Sequence, residues 1–506
     1  MKILPPEPGI AVAARDVAAT EGLLARADAA IFVLDRTRPE AALRKLPHAA
    51  LWSALYRAEK KAAPVPILAA RLPNARHTLA VIGFAKPGAG GFERLELAGK
   101  LAREALKPGG ATLQLHAPGL AVGDKADMLE ALLSAALAAA APMPQRKSKR
   151  SHGSDLRKIL VASRPDARFD GSQAIAEGNH LARWLTALPP NELDCVSYRR
   201  ALRALAAREG WGFRFYGEAA LKRLGAGAFL AVASANSRRG AGIVRLTYRP
   251  RRRARQRIAL VGKGICVDTG GINLKPHRSM YLMHGDMQGS AVAVGTLLAL
   301  DRMAAPYAVD CWLALTENQI GPDAYRPQDV VSAMNGVTIQ VVHSDAEGRM
   351  VLADTLALAS REKPDFMIDF ATLTGACVNA LTERYSGAFT NRSGLHDWLQ
   401  SVGRESGERV WCFPMDEDFD GDLDSPIADI MQCTLDNKGD HVLAARFLNR
   451  FVAPAIPWVH VDLSASERKG GLAHVPTEFT GFGVRYACHV LGDPARLHDQ
   501  LTKATA

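Results

Sequence analysis

Along the first 145 residues, short apolar runs (AAIFVL at 29–34, HTLAVIGFA at 77–85, ATLQLH at 111–116) alternate with stretches of helical period such as LELAGKLAREAL and ADMLEALLSAALAAA. Apolar runs of strand length set between helices predict a small α/β domain over 1–145. The segment carries no phosphate loop, metal cluster or nucleophile elbow, which points to scaffolding, assembly or regulation. PMPQRKSKRSHG follows, where Arg146, Lys147, Lys149 and Arg150 fall among Pro, Ser and Gly. Such a composition cannot bury a core, so a basic linker is expected over 146–168. From 169 to 506, RIALVGKGICVD, AVDCWLALTE, VTIQVVHSD, FMIDFATLTG and WVHVDLSA alternate with helical stretches. Their continuous apolar character predicts buried strands, hence one larger α/β domain with a central sheet covered by helices. Most polar residues of interest close these runs at their C-terminal ends, where open α/β sheets carry their sites.

Composition narrows the class. The 506 residues are 48% hydrophobic and 23% charged, which excludes bulk disorder and allows two or three domains. No apolar run reaches the roughly 18 residues that would span a bilayer; the nearest, Ala131 to Ala141, stops at Pro142. MKILPPEPGI places two prolines where a signal peptide needs its apolar stretch, so a cytoplasmic chain is expected. Seven dispersed cysteines without a CxxC pair argue against a disulfide framework or a thiolate zinc site and for buried thiols. The net charge of +11 permits polyanion contact. A second basic tract, Arg249 to Arg255, lies between GIVRLTY and RIALVG and is expected in a β-hairpin loop. Both tracts read as solvated loops, with a DNA-binding accessory protein as the alternative, since no interleaved aromatics accompany them.

The chemistry gathers in two segments. In LVGKGICVDTGGINLKPHRSMYLMHGDMQGS (260–290) an apolar strand bears Lys263, Asp268 closes it, Gly270 and Gly271 make a turn, and Lys275 and Asp286 follow. Buried ionisable groups are costly unless paired or metal-bound, so structural salt bridges and a metal site are both open. GKG is not a phosphate loop, because that motif needs Ser or Thr after the Lys. In VTIQVVHSDAEGRMVLADTLALAS the strand runs into Asp345, Glu347 and Arg349. An extended DAE projects both carboxylates to one side, Gly348 permits a sharp turn, and a helix N-terminus with Arg349 suits an anion; a helix cap is the plainer reading. Four carboxylates, Asp268, Asp286, Asp345 and Glu347, balance two doubly charged cations, and bridging carboxylates hold such ions about 3.5–4 Å apart. Lys275 and Arg349 then leave positive charge for a developing oxyanion. Lys263 could ligate only as the neutral amine, which an adjacent dication favours.

VGKGICVDTGGINLKP, LMHGDM, YRPQDVVSAMNG and SDAEGRMVLAD, with TLTGAC at 372–377, SPIAD at 425–429 and TGFGVR at 480–485, resemble in order and spacing the leucyl (cytosol) aminopeptidase family of two-metal exopeptidases. The likeness runs from about residue 165 nearly to the C-terminus. It implies a smaller N-terminal macro-like α/β domain, a larger C-terminal α/β catalytic domain with a central mixed sheet, a homohexamer, and release of leucine-like N-terminal residues from peptides. By this resemblance one metal, zinc or manganese, is bound by Asp268, Asp345 and Glu347, and the other by Lys263, Asp268, Asp286 and Glu347. Lys275 and Arg349 match the catalytic residues, the arginine holding a bicarbonate that acts as general base. Met283, Thr372, Leu373 and Gly375 match positions that receive the N-terminal residue. The chain departs from the family pattern at Thr269, at His284, Gly285 and Gln288, and at His343 and Ser344; His343 is read as a pocket-wall or supporting histidine. GDHVLAARFL at 439–448 stands where GGAxTAAxFL is usual.

Overall fold

The computed structural model describes residues 3–7, 9–60, 67–148 and 154–505, so Lys149 and Arg150 of the first basic tract lie outside it. A six-stranded sheet takes the order Ala11–Ala14, Lys158–Val161, Thr112–His116, Ala29–Asp35, Leu79–Ala85, Leu68–Arg71. Its neighbours are parallel except at the Leu68–Arg71 edge. Helices Gly91–Leu106 and Val122–Ala140 bury Leu101 and Leu132 with Val81 and Leu115 on one face. Trp52 and Tyr56 of Ala49–Glu59 cover Phe32 and Ile82 on the other. The linker expected over 146–168 is shorter than that, because Lys158–Val161 pairs between two strands of this sheet and puts Ile159 and Val161 into its core. Four residues of strand are too short a pattern to stand out from a basic, polar flank.

The second sheet has eight strands in the order Val410–Cys412, Ser386–Thr390, Trp458–Asp462, Phe366–Ala371, Gln256–Asp268, Tyr307–Asn318, Gly242–Tyr248, Gly212–Gly217. Its four central strands are parallel and its flanks bring antiparallel pairs, so the sheet is mixed. Alternate residues of Gln256–Asp268 face opposite layers. Ile258 and Leu260 pack with Val292 and Leu297 of helix Gln288–Arg302, and Ala259 and Val261 pack with Met350 and Leu356 of helix Glu347–Ser360. Among the described residues no helix is long and apolar enough to cross a membrane, and the seven cysteines are unbridged, six of them buried.

Two expectations are corrected here. VTIQVVHSD does not join the central sheet; only Thr338–Gln340 is strand, in a three-stranded sheet with Val330–Ser332 and Ile430–Met431. Beyond it the N–H groups of Val342 and His343 donate to the Gln432 side-chain oxygen and not to a neighbouring strand. The tract 249–255 is not a hairpin loop either, because Tyr307–Asn318 lies between the two strands it joins. Arg249 in this crossing donates to Asp310 at 2.8 Å, while Arg251 to Arg253 are exposed.

Candidate active site

The parallel strands end together, and their last residues carry the polar groups. Asp268 closes Gln256–Asp268, and the chain reverses through Gly270 and Gly271 at φ 85° and 64°, a region that favours glycine. The reversal lets the Gly270 N–H donate to Asp268 Oδ1 at 2.8 Å and returns Lys275, whose Nζ lies 2.9 Å from Asp268 Oδ2 and 2.6 Å from Asp345 Oδ1. Lys263, midway along the same strand, points its ammonium at Asp286 Oδ2 (2.8 Å), Glu347 Oε1 (2.9 Å) and the Thr372 carbonyl (2.8 Å). Thr372 Oγ1 donates to Asp286 Oδ1 at 2.7 Å.

DAEGR is arranged differently from the expectation. The helix begins at Glu347 and Asp345 sits in the turn before it, so the two carboxylates are not neighbours on an extended strand. Gly348 lies inside this helix with no left-handed backbone, and its role is steric. A Cβ there would come within 2.7 Å of Lys263 Cε and Nζ, so the missing side chain is what admits the lysine.

Asp268, Asp286 and Glu347 each place one carboxylate oxygen within 4.8 Å of the others, and all three are buried. Asp345 is joined to them through Lys275. Against four carboxylates stand two ammonium groups, which leaves negative charge in excess. Burial, followed by the neighbouring Asp268, pushes Glu347 and Asp345 above the usual carboxylate range, and burial does the same to Asp286. Burial disfavours a charged Lys263, but Asp286, Glu347 and Asp268 outweigh it and raise its pKa. Among the described residues Glu347 Oε2 is buried without a hydrogen-bond partner. Hard oxygen donors, uncompensated buried charge and an acceptor lacking a donor fit divalent cations better than a self-contained salt-bridge cluster.

The surplus positive charge expected from Arg349 is not there. Its Nη2 lies 2.8 Å from each oxygen of Asp440, and Nη1 donates to the Gln432 carbonyl at 3.1 Å, so the guanidinium is already neutralised. All eleven residues singled out in the sequence, Met283, Thr372, Leu373 and Gly375 included, line one cavity of about 910 Å³. His343 is on its wall too, and its Nδ1 accepts from the Asp345 N–H at 3.3 Å. Four supporting residues escaped the sequence reading. Asn318 Nδ2 donates to Asp268 Oδ1 at 2.8 Å and to the Ser344 carbonyl at 3.0 Å. Asp462 accepts from Thr374 Oγ1 at 2.7 Å and from the Leu373 N–H at 3.1 Å, fixing that wall. Both close apolar strands as Asp268 does, a signal that was legible. Gln432 and Asp440 had no such mark, apart from the odd 439–448 block.

The sequence profile of the cytosol aminopeptidase family, catalytic domain, matches residues 180–488. Proteins described as probable cytosol aminopeptidases from Corynebacterium diphtheriae and Rhodopseudomonas palustris are 38% and 37% identical over 356 and 357 residues; each match covers 69% of this chain and respectively 71% and 70% of the relative. Among solved structures, the bottromycin maturation enzyme BotP in complex with Mn is 29% identical with a TM-score of 0.79, covering 92% of this chain and 98% of that one. Leucyl aminopeptidase from Trypanosoma brucei in complex with actinonin is 26% identical with a TM-score of 0.80, covering 95% and 96%.

Proposed function

As a member of the cytosol aminopeptidase family this chain is an aminopeptidase of the hydrolase class, and we propose that it removes leucine-like N-terminal residues from peptides with two divalent cations, zinc or manganese. One ion would be held by Asp268, Asp345 and Glu347, the other by Lys263, Asp268, Asp286 and Glu347. The observation that carries this reading is the convergence of Asp268, Asp286 and Glu347 within 4.8 Å of one another, supported by the unpartnered Glu347 Oε2. Divalent cations bound there supply the charge that acidifies water and polarises the scissile carbonyl. The chain's own groups do the rest. Lys263 would hold an ion only as the neutral amine, its proton displaced by the bound charge. Lys275 presents its ammonium to the oxyanion that develops on the carbonyl. Met283, Thr372, Leu373 and Gly375 receive the N-terminal residue, and Asp462 holds the backbone of that wall rigid. The working assembly is a homohexamer and the location the cytoplasm.

The test is a screen of aminoacyl chromogenic substrates on apoprotein with zinc, manganese, cobalt and magnesium each added back. Leucine-type substrates are expected to be cut only after metal is restored, and N-acetylated ones to resist. A protein that binds none of the ions and cuts none of the substrates would refute the reading. Asn318→Ala is expected to weaken divalent-ion affinity about 10–100-fold, the usual worth of a residue that orients a ligand. Calorimetric titration with manganese checks it, an unchanged affinity counting against Asn318 as the residue that orients Asp268.

A further inference from the structure

The bicarbonate that the resemblance implies at Arg349 does not fit the residues present. A guanidinium grips a planar oxyanion through two adjacent nitrogens, either Nη1 with Nη2 or Nε with Nη2. Both forks need Nη2, and Nη2 is held at 2.8 Å by each oxygen of Asp440. Nη1 is engaged by the Gln432 carbonyl. Among the described residues Nε has no hydrogen-bond partner, yet one N–H is a weak hold on an ion that must leave bulk water for a site where Arg349 is only 2% exposed.

Asp440 is built into this position. It is the first residue of helix Asp440–Asn449, after Gly439 at φ 60°, and a helix N-terminus favours a carboxylate. Its side chain is 13% exposed and lines the same cavity as Asp345, Glu347 and Arg349. In GDHVLAARFL the Asp stands where GGAxTAAxFL has its second glycine. A glycine leaves the guanidinium open to the cavity; the aspartate fills that space with a tethered carboxylate.

We propose that Asp440 takes the place of an external anion at Arg349 and is itself the proton carrier of the hydrolysis. The inference rests on the aminopeptidase reading above. Water's oxygen forms the new C–O bond at the scissile carbonyl, and one of its protons passes to the Asp440 carboxylate. Asp440 then delivers that proton to the nitrogen as the C–N bond breaks. The carboxylate is regenerated, and the products are a free amino acid and the shortened peptide. Arg349 acts here as the positioning residue, its Nη2 2.8 Å from each Asp440 oxygen holding that carboxylate in place.

The experiment compares the metal-loaded wild type with Asp440→Gly and Asp440→Asn in carbon-dioxide-free buffer, with and without millimolar bicarbonate. Two readouts are taken, the initial rate on a leucine-type substrate and the midpoint of thermal unfolding. In the wild type, bicarbonate is expected to change neither. Asp440→Gly is expected to lose about 10²-fold or more in rate, the lower end of what a positioned proton carrier contributes. Bicarbonate should restore part of that rate and raise the variant's unfolding midpoint, because it now finds an open fork. Asp440→Asn keeps the side chain's shape without its basicity, so it should be slow with no rescue; it also serves if the glycine variant fails to fold. Wild-type stimulation by bicarbonate, or a full rate in either variant without it, overturns the proposal. A wild type inactive on every substrate would defeat the aminopeptidase reading instead. The thermal midpoints would still decide whether Asp440 fills the anion position, a bicarbonate-induced rise in the wild type refuting it.

Discussion

Glu347→Ala and Asp268→Ala are each expected to lower turnover of aminoacyl substrates by more than about 10²-fold, beyond the 10–100-fold that a merely supporting residue is worth, with bound metal falling in parallel. Each carboxylate belongs to the buried group whose oxygens converge within 4.8 Å, and each would be shared between both ions. Lys275→Ala separates binding from chemistry. Removing its ammonium strips a positive charge from between Asp268 and Asp345. Metal should therefore be retained while the rate falls roughly 10²–10³-fold, the worth of one oxyanion-stabilising donor. Elemental analysis of the purified variants alongside their steady-state rates makes the comparison. Wild-type-like turnover in Asp268→Ala would remove the two-metal assignment.

The second large effect concerns the joint between the two sheets' domains. Arg485, from the helix Val484–Leu491, donates to Glu130 of the helix Val122–Ala140 through two bonds of 2.8 and 2.9 Å, and its Nε donates to the Ser406 carbonyl at 2.7 Å. Ser172 Oγ adds a bond to Glu130 at 2.7 Å. Arg485→Ala leaves Glu130 as an uncompensated, largely buried charge, and a loss of about 3–5 kcal/mol in stability is expected. Burial opposes ionisation of Glu130, but Arg485 and Ser172 bring its pKa down to about 2. A folded-state pKa below the ordinary 4.5 means that the pair stabilises fully above pH 4.5 and is lost as pH falls towards 2. Thermal unfolding from pH 7 to pH 3 should thus show a midpoint gap between wild type and Arg485→Ala that narrows on acidification. A constant gap would place the loss in packing instead.

Much of the catalytic domain was legible because its evidence is local. Lys263 and Asp268 are conspicuous as charges in and at the end of an apolar strand, and long blocks such as SDAEGRMVLAD carry both ligand candidates and their spacing. Runs such as RIALVGKGICVD and FMIDFATLTG announce buried parallel strands by unbroken apolarity. VTIQVVHSD carries the same signal and misleads, since nothing in its composition tells that Gln432 would satisfy its N–H groups. Lys158–Val161 was hidden by its brevity, and the crossing at 249–255 by the assumption that strands adjacent in sequence pair in space.

The sequence by itself determined most of the central-sheet strands, the glycine turn after Asp268 and the inventory of candidate ligands, because propensity, period and strand-end polarity act over a few residues. Only the tertiary structure decided who meets whom. Arg349 and Asp440 are 91 residues apart along the chain yet form one close ion pair through Nη2. Gly348 serves Lys263 from a different element. Such pairings follow from how layers pack around a common sheet edge, and a charge's partner, unlike its presence, is a property of that convergence.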